Sequence, residues 1–236
     1  MKIRLQKFLS QAGCCSRRQA EELIQQKRIK INNQVARLGD KAEINKDEVR
    51  FDERVIKLTS NLIYIKLNKP RGYTCTHGKF EKEKNIFELI NLKEKLLIVG
   101  RLDRESRGLV LLTTDGELMQ QITHPSYRHE KEYIVKISQK ITEEEIKNLI
   151  RVFRAGLDLG PDFGKVRVKN IEYLKQSQFK IILIQGKKRQ IRQMFQKLNY
   201  QVADLQRIRI KNIKLEKLAE GKWQYLTQTE INNLKK

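Results

Sequence analysis

Apolar residues in this chain fall into short phased runs separated by polar turns, and the phase changes several times. Leu5, Phe8, Leu9 and Ala12 recur at helical spacing and stop at Gly13, which predicts a first helix ended by a glycine. Ser16 reads as the N-cap of a second helix with Ala20, Leu23 and Ile24 on one face. Two alternating runs, Ile29 to Val35 around Asn32-Asn33 and Val49 to Val55, predict small strands. The pattern resets around Thr59 to Leu62. Ile63 to Leu67 then reads as a strand, ended by a turn at Asn68-Lys69-Pro70-Arg71-Gly72.

Further along, Ile86, Phe87, Leu89 and Ile90 suggest a short helix within a polar stretch, and Leu109 to Leu112 a buried strand followed by the turn Thr113 to Gly116. Glu117 to Ile122 and Thr142 to Phe153 read as helices, the second with Glu143, Glu144 and Glu145 in its first turn, where acids suit the helix dipole. Tyr133 to Ile137, Val166 to Val168 and Lys180 to Ile184 read as strands, and Gln190 to Leu198 as a helix. Strands and helices mix without the regular alternation of a doubly wound sheet, so the expected class is α+β. The expected organisation is a small domain at 1–59 and a second at 60–236, whose sheet is mixed and mainly antiparallel.

Charge narrows the class of partner. Among 236 residues, Lys and Arg number 50 against 28 Asp and Glu, a net of +22. Solubility needs a far smaller charge, so a polyanion, nucleic acid first, is the implied partner. Residues 1–39 hold 9 basic side chains against 2 acids, whereas 40–60 hold 5 against 6. Residues 180–217 hold 11 against Asp204 and Glu216 alone, a face able to track a phosphate backbone through residues such as Arg207 and Arg209.

Cys14, Cys15 and Cys75 form no disulfide framework, which fits a reducing compartment. His77, His124 and His129 lack metal-ligand spacing, so no metal is expected. The start lacks the apolar core of a signal peptide, and no run is long enough to span a bilayer. The expected setting is cytoplasmic, with no membrane partner.

The chemistry concentrates at Gly100-Arg101-Leu102-Asp103-Arg104-Glu105-Ser106-Arg107-Gly108, a carboxylate in a short loop entering a strand, flanked by Arg101 and Arg104. Lys131-Glu132-Tyr133 heads a strand, and Gly186-Lys187-Lys188-Arg189-Gln190-Ile191-Arg192 heads a helix. These strings, in this order, resemble the RsuA/RluB/RluE/RluF family of bacterial rRNA pseudouridine synthases. The N-terminal strings Leu5 to Leu9, Cys15 to Glu21, Ile29 to Asn32 and Gly39-Asp40 resemble the alpha-L RNA-binding domain named after small-subunit ribosomal protein S-four.

The resemblance spans residues 2–226 and implies a cofactor-free isomerase, acting as a monomer on rRNA or ribosomal precursor particles. Asp103 would be the essential carboxylate, as nucleophile or as stabiliser of the sugar cation. Tyr133 would pack on the target base, and Arg192 would pair with Asp103 through a two-pronged hydrogen bond. Ile191 would line the base pocket and Arg101 lie near the extruded nucleotide. Lys69 and Arg71 sit in the family's Lys-Pro-x-Gly turn beside the cleft. Arg17, Arg18, Lys30, Arg189, Arg207 and Arg209 complete the expected RNA contacts.

Ser106 stands where the family usually has Thr, and Arg189 where several members have His. These variants, with His129 to Tyr133 and Gly221 to Leu226, look most like the RluF-type branch, which modifies large-subunit rRNA. A non-catalytic RNA-binding assembly factor is the main rival reading. Mere binding does not need Asp103, Tyr133 and Arg192 together. A metal-dependent nuclease would want a cluster of acids, which these loops lack.

Overall fold

A computed structural model describes residues 1–58, 61–78, 81 and 83–236. The chain divides into two units. The expected boundary at 59/60 falls outside the described residues.

The first unit takes Met1–Ile63 with Lys93–Leu96 and Thr114–Gly116. It holds β1 (Lys2–Arg4), α1 (Leu5–Gln11), α2 (Arg17–Gln25), β2 (Ile29–Ile31), β3 (Gln34–Val35), β4 (Lys41–Glu43), β5 (Val49–Phe51) and β6 (Arg54–Ile56). Helix α1 stops where Gly13 turns left-handed at φ +74°. The Gly13 N–H donates to Ser10 O and the Cys14 N–H to Leu9 O, which satisfies the terminal carbonyls. Ser16 caps α2 and forms a reciprocal capping box with Gln19.

Val49 to Val55 is not one strand but two, because Asp52 and Glu53 adopt positive φ and fold the run into the β5–β6 hairpin. Leu5, Phe8, Leu9, Ala20, Ile24, Ile29 and Val49 form the core.

The second unit is built on one large, mainly antiparallel sheet. In chain order its elements are β7 (Tyr64–Lys69), β8 (Tyr73–Thr74), β9 (Lys84–Asn85), β10 (Leu97–Val99), β11 (Arg107–Thr113), α3 (Gly116–Thr123), β12 (Lys131–Ile137) and α4 (Glu143–Ala155). There follow β13 (Leu157–Asp158), β14 (Lys165–Val166), β15 (Asn170–Tyr173), β16 (Gln178–Leu183), α5 (Gln190–Lys197), β17 (Val202–Ile210), β18 (Ile213–Lys214), β19 (Trp223–Tyr225) and α6 (Gln228–Lys235). Among the described residues the sheet runs β15-β16-β12-β17-β11-β7-β19, with β18 paired to β17 and β10 to β11.

Thr142 caps α4 through a capping box with Glu145. Of the expected Val166 to Val168 strand only Val166 is in one, paired within β14 (Lys165–Val166), and the helix at Ile86 is a single 3₁₀ turn, Ile86–Leu89. Phe195 of α5 packs edge-on against Phe153 of α4, ring centres 5.0 Å apart, and lies 5.6 Å from Phe179 of β16. Leu118, Ile122 and Leu234 pack α3 and α6 onto Leu109, Leu111 and Ile210. Lys66, inside β7, donates to Glu230 of α6 at 2.9 Å and to Glu216 at 3.3 Å.

The longest strand among the described residues, β17, is one that the sequence reading treats only as a basic face. Its buried positions are Val202, Leu205, Arg207 and Ile210, a spacing of three, two and three rather than a strict two. Against β12 the register runs Glu132↔Arg209 then Tyr133↔Arg207, and Lys136↔Asp204 then Ile137↔Val202. Ile208 and Ala203 are therefore bulged out, and each bulge resets which face the next side chain takes.

One edge of β11 is shared. Leu111 to Thr113 pair antiparallel with β10, while Arg107 and Gly108 pair parallel with Gln206 and Arg207 of β17. At that junction a Cβ on Gly108 would lie 2.3 Å from Arg207 O and 2.8 Å from Arg207 N, and its φ is +105°.

Gly108→Ala should therefore cost about 3 kcal/mol or more through overpacking and a forbidden φ, lowering the thermal midpoint of this unit by roughly 6–12 °C. Gly186→Ala, with open space and an ordinary φ, should shift it by less than about 2 °C. Equal shifts in paired melting curves would refute a close approach at Gly108.

Candidate active site

The loop between β10 and β11 turns its carbonyls onto buried cations. Arg207, nearly fully buried, donates from Nε to Leu109 O at 2.7 Å, from Nη2 to Gly100 O at 2.7 Å and from Nη1 to Arg101 O at 3.3 Å. Lys69, fully buried at the end of β7, donates from Nζ to Ser106 O at 2.6 Å, Pro70 O at 2.8 Å and Arg104 O at 3.2 Å. Burial pushes the Lys69 ammonium down to about 8.

Arg192 of α5 reaches Glu105 O at 3.2 Å and Val202 O at 3.0 Å. The Ser106 N–H closes a turn onto Asp103 O at 3.0 Å. With the backbone held from three directions, the Asp103 carboxylate is left partly exposed.

That carboxylate opens into a cleft of about 1190 Å³, larger than the roughly 300–1,000 Å³ that encloses a small molecule. Among the described residues its lining holds nine Lys or Arg side chains and only two acids, Glu83 and Asp103. Such a cleft suits one segment of a polyanion. Tyr133, Ile191 and Leu205 supply apolar wall beside Asp103.

Arg189, in the left-handed region at φ +53° as the residue preceding α5, brings Nη1 to 3.9 Å from Asp103 Oδ2. Non-glycine residues rarely hold that conformation, and it marks a constrained position. Among the described residues no three His, Cys, Asp or Glu side chains gather as metal ligands, and no helix is long and apolar enough to cross a membrane.

Strand β12 sorts its residues by face. Tyr133 and Lys131, with His129 just before the strand, line the cleft. Glu132 and Glu130 between them take Arg209, Nε to Glu132 at 2.5 Å and Nη2 to Glu130 at 3.0 Å, and Glu130 also holds Lys169. The bulge at Ile208 is what lets Arg207 serve the Asp103 loop while Arg209, two residues on, serves the acids of β12.

The structure gathers Asp103, Tyr133, Arg101, Arg189 and Ile191 in one cleft and corrects several expectations. Arg192 does not pair with Asp103: its guanidinium is turned to two backbone carbonyls, and Arg189 is the nearer cation. Lys69 is buried on carbonyls away from the cleft, and Arg207, which borders the cleft, spends its guanidinium on three backbone carbonyls. Arg209 is engaged by Glu130 and Glu132. Arg71, half-exposed, donates to Ala203 O and Asp204 at 2.6 Å each, and Arg107 shares that same carboxylate.

In the first unit, Arg17 and Arg18 are exposed on the first turn of α2, while Lys30 pairs with Glu53 at 2.5 Å. Sequence reasoning missed Lys131. The available signal was its place two residues before Tyr133 in a strand, hence on the same face.

The family model described as RNA pseudouridylate synthase matches residues 63–197, and the S4 domain model matches residues 3–49. The chain is similar to the dual-specificity RNA pseudouridine synthase RluF of Escherichia coli, 37% identical over 236 residues that cover 98% of this chain and 78% of that one. It is similar to a protein of Borreliella burgdorferi named as an uncharacterized RNA pseudouridine synthase, 36% identical and covering 98% and 93%. A solved structure titled "Crystal structure of pseudouridylate synthase" shares the fold at a TM-score of 0.71, with 30% identity over 98% of this chain and 99% of that one. Matched in both of its segments and along nearly its whole length, the chain belongs to the RNA pseudouridine synthase family and is an RNA-modifying isomerase.

Proposed function

We propose that this enzyme isomerises a specific uridine of large-subunit rRNA to pseudouridine, flipping the nucleotide into the cleft and using Asp103 as its essential carboxylate. The observation that carries this reading is Asp103 itself: a partly exposed acid on an immobilised loop, opening into a cleft whose other charges are almost all positive. The likeness to a protein named dual-specificity RNA pseudouridine synthase RluF supports an RNA substrate, and the motif resemblance to the RluF-type branch is what favours large-subunit rRNA.

The reaction breaks the bond between ribose C1′ and base N1, rotates the uracil and joins C1′ to C5; a proton leaves C5 and one is taken up at N1, so the product is an isomer of the substrate. Nothing is oxidised or reduced, so no cofactor is needed. Asp103 meets the electron deficiency, either as nucleophile or as an ion beside the sugar cation. Tyr133 and Ile191 hold the detached base between them, Arg189 orients the carboxylate, and Arg101 faces the extruded nucleotide. The 1–59 segment, through Arg17 and Arg18, supplies further phosphate contacts. The setting is the cytoplasm, and the enzyme works as a monomer on rRNA or its precursor particles.

Asp103→Asn should abolish pseudouridine formation in rRNA transcripts while changing RNA affinity by less than a few-fold, because one neutral amide replaces one acid among many phosphate contacts. Normal turnover by this variant in a tritium-release assay would remove the assignment.

Arg192 and Arg189 should separate by readout. Arg192→Ala orphans two carbonyls and should cost about 1–3 kcal/mol of stability together with turnover, and Arg192→Lys should restore part of both. Arg189→Ala should leave the melting curve unchanged and lower single-turnover rates by about tenfold or more. Identical behaviour of the two alanine variants would show that Arg192 does not brace the loop and that Arg189 does not orient Asp103.

Lys69 sets an alkaline limit. Its folded value of about 8 lies below the ordinary 10.5. Between those values the unfolded chain binds the extra proton, so this group's contribution to stability rises with pH across that window. The same deprotonation leaves Lys69 one N–H short for its three carbonyls, two of which, Arg104 O and Ser106 O, belong to the Asp103 loop. Turnover should therefore fall above about pH 8, and Lys69→Met should be slow at every pH and lack that limb. A limb unchanged in Lys69→Met would assign it to another group.

A further inference from the structure

We propose that Lys131 is a phosphate-binding residue, which seats the backbone phosphate adjoining the uridine held at Tyr133 and Asp103. This rests on the reading of the cleft as the uridine site and adds a contact with the RNA backbone to it.

The position of Lys131 is unusual in this molecule. It is half-buried on β12 and lines the cleft, yet none of its hydrogen bonds or ion pairs among the described residues reaches a carboxylate. Burial pushes its ammonium below the ordinary value, and the nearby Arg207 guanidinium pushes it the same way, with no acid opposing them. A cation kept in such a place without a partner costs stability.

Partners were at hand in the sequence. Glu130 and Glu132 flank Lys131, but strand alternation puts both on the opposite face, where Arg209 and Lys169 occupy them. The Asp103 carboxylate has its one ion pair among the described residues with Arg189, at 3.9 Å, and none with Lys131. The fold thus supplies acids to Arg209 and Lys169 and withholds them from Lys131, so the partner that completes this site must arrive with the substrate. In a cleft that accepts RNA, the anion is a phosphate.

Geometry says which phosphate. Lys131 and Tyr133 lie on one face of one strand, about 6.6 Å apart along it, so an ammonium and a base-stacking ring are offered side by side at the distance of neighbouring parts of one nucleotide chain. Lys187 and Lys188 also line the cleft, but they sit on the loop before α5, exposed to solvent, and suit looser tracking of the backbone.

The test uses the full chain and a large-subunit rRNA transcript from the same genome. The modified uridine is located first with the unaltered enzyme. A synthetic stem-loop around it is then made twice, once unmodified and once with a neutral methylphosphonate in place of the adjoining phosphate. Lys131→Met should lower kcat/KM on the unmodified RNA by about 10-fold to 100-fold, the range for one hydrogen bond to a charged group. Lys131→Arg should retain most of the rate.

The methylphosphonate should slow the unaltered enzyme by a similar factor and slow Lys131→Met little further. The melting temperature of Lys131→Met should be unchanged or higher, which a structural role would not allow. Lys147→Ala, an exposed charge change on α4, is the control. Lys131→Met within twofold of the unaltered enzyme, or equal methylphosphonate penalties in both, overturns the proposal.

Transcript affinity is measured in parallel against salt, where loss of one contact should lower the log–log slope by about 0.7. If no uridine is isomerised at all, the function reading fails, and this slope still decides for or against the phosphate contact.

Discussion

The grip of Lys69, Arg192 and Arg207 on the backbone carbonyls of residues 100–106 is the interaction on which this site depends. A loop that must show a carboxylate to a cleft cannot also leave its carbonyls unpaired against the core, since each orphan costs about 1–3 kcal/mol. Cations solve this better than neutral donors, because one ammonium or guanidinium serves several oxygens at once. The cost is desolvation, evident in the lowered Lys69 ammonium. Gly108 belongs to the same construction: only a residue without a Cβ lets β17 approach β11 closely enough for Arg207 to reach Gly100 and Leu109.

Charge is sorted just as deliberately. Glu130 and Glu132 are matched with Arg209 and Lys169, Asp204 with Arg71 and Arg107, and Glu216 and Glu230 with Lys66. None of these acids lines the cleft, where the basic side chains outnumber Glu83 and Asp103 by nine to two among the described residues. The cleft therefore carries a strong positive field of its own within a chain that is basic as a whole. A field of that kind speeds encounter with RNA and weakens as salt screens it.

Local chemistry made much of the fold legible. Gly13 ends α1 because only a left-handed residue completes the pair of hydrogen bonds there, and Ser16 and Thr142 start their helices through caps that lie within four residues of sequence. The alternation that identifies a strand failed at β17 for a physical reason: bulges at Ala203 and Ile208 break the period of two, so Val202 and Ile210 are buried along with Leu205 and Arg207, two pairs that a regular strand would place on opposite faces. The Val49 to Val55 run hid a hairpin for a similar reason, since Asp52 and Glu53 carry the turn without a glycine.

By itself the sequence determined the carboxylate, its loop, the aromatic wall residue, the basic character of the partner and the family resemblance, because each is written in a contiguous string. Only the tertiary structure decided what each cation does. Lys69, Arg207 and Arg209 read alike as basic residues fit for RNA and Arg192 as the partner of Asp103, yet two are buried on carbonyls, one is neutralised by glutamates and Arg192 bridges a helix to the loop. The partners of Arg207 lie 98 to 107 residues away in the chain. Whether a charge meets water, a carbonyl or a carboxylate is fixed by strand pairing and register, and no local pattern encodes that.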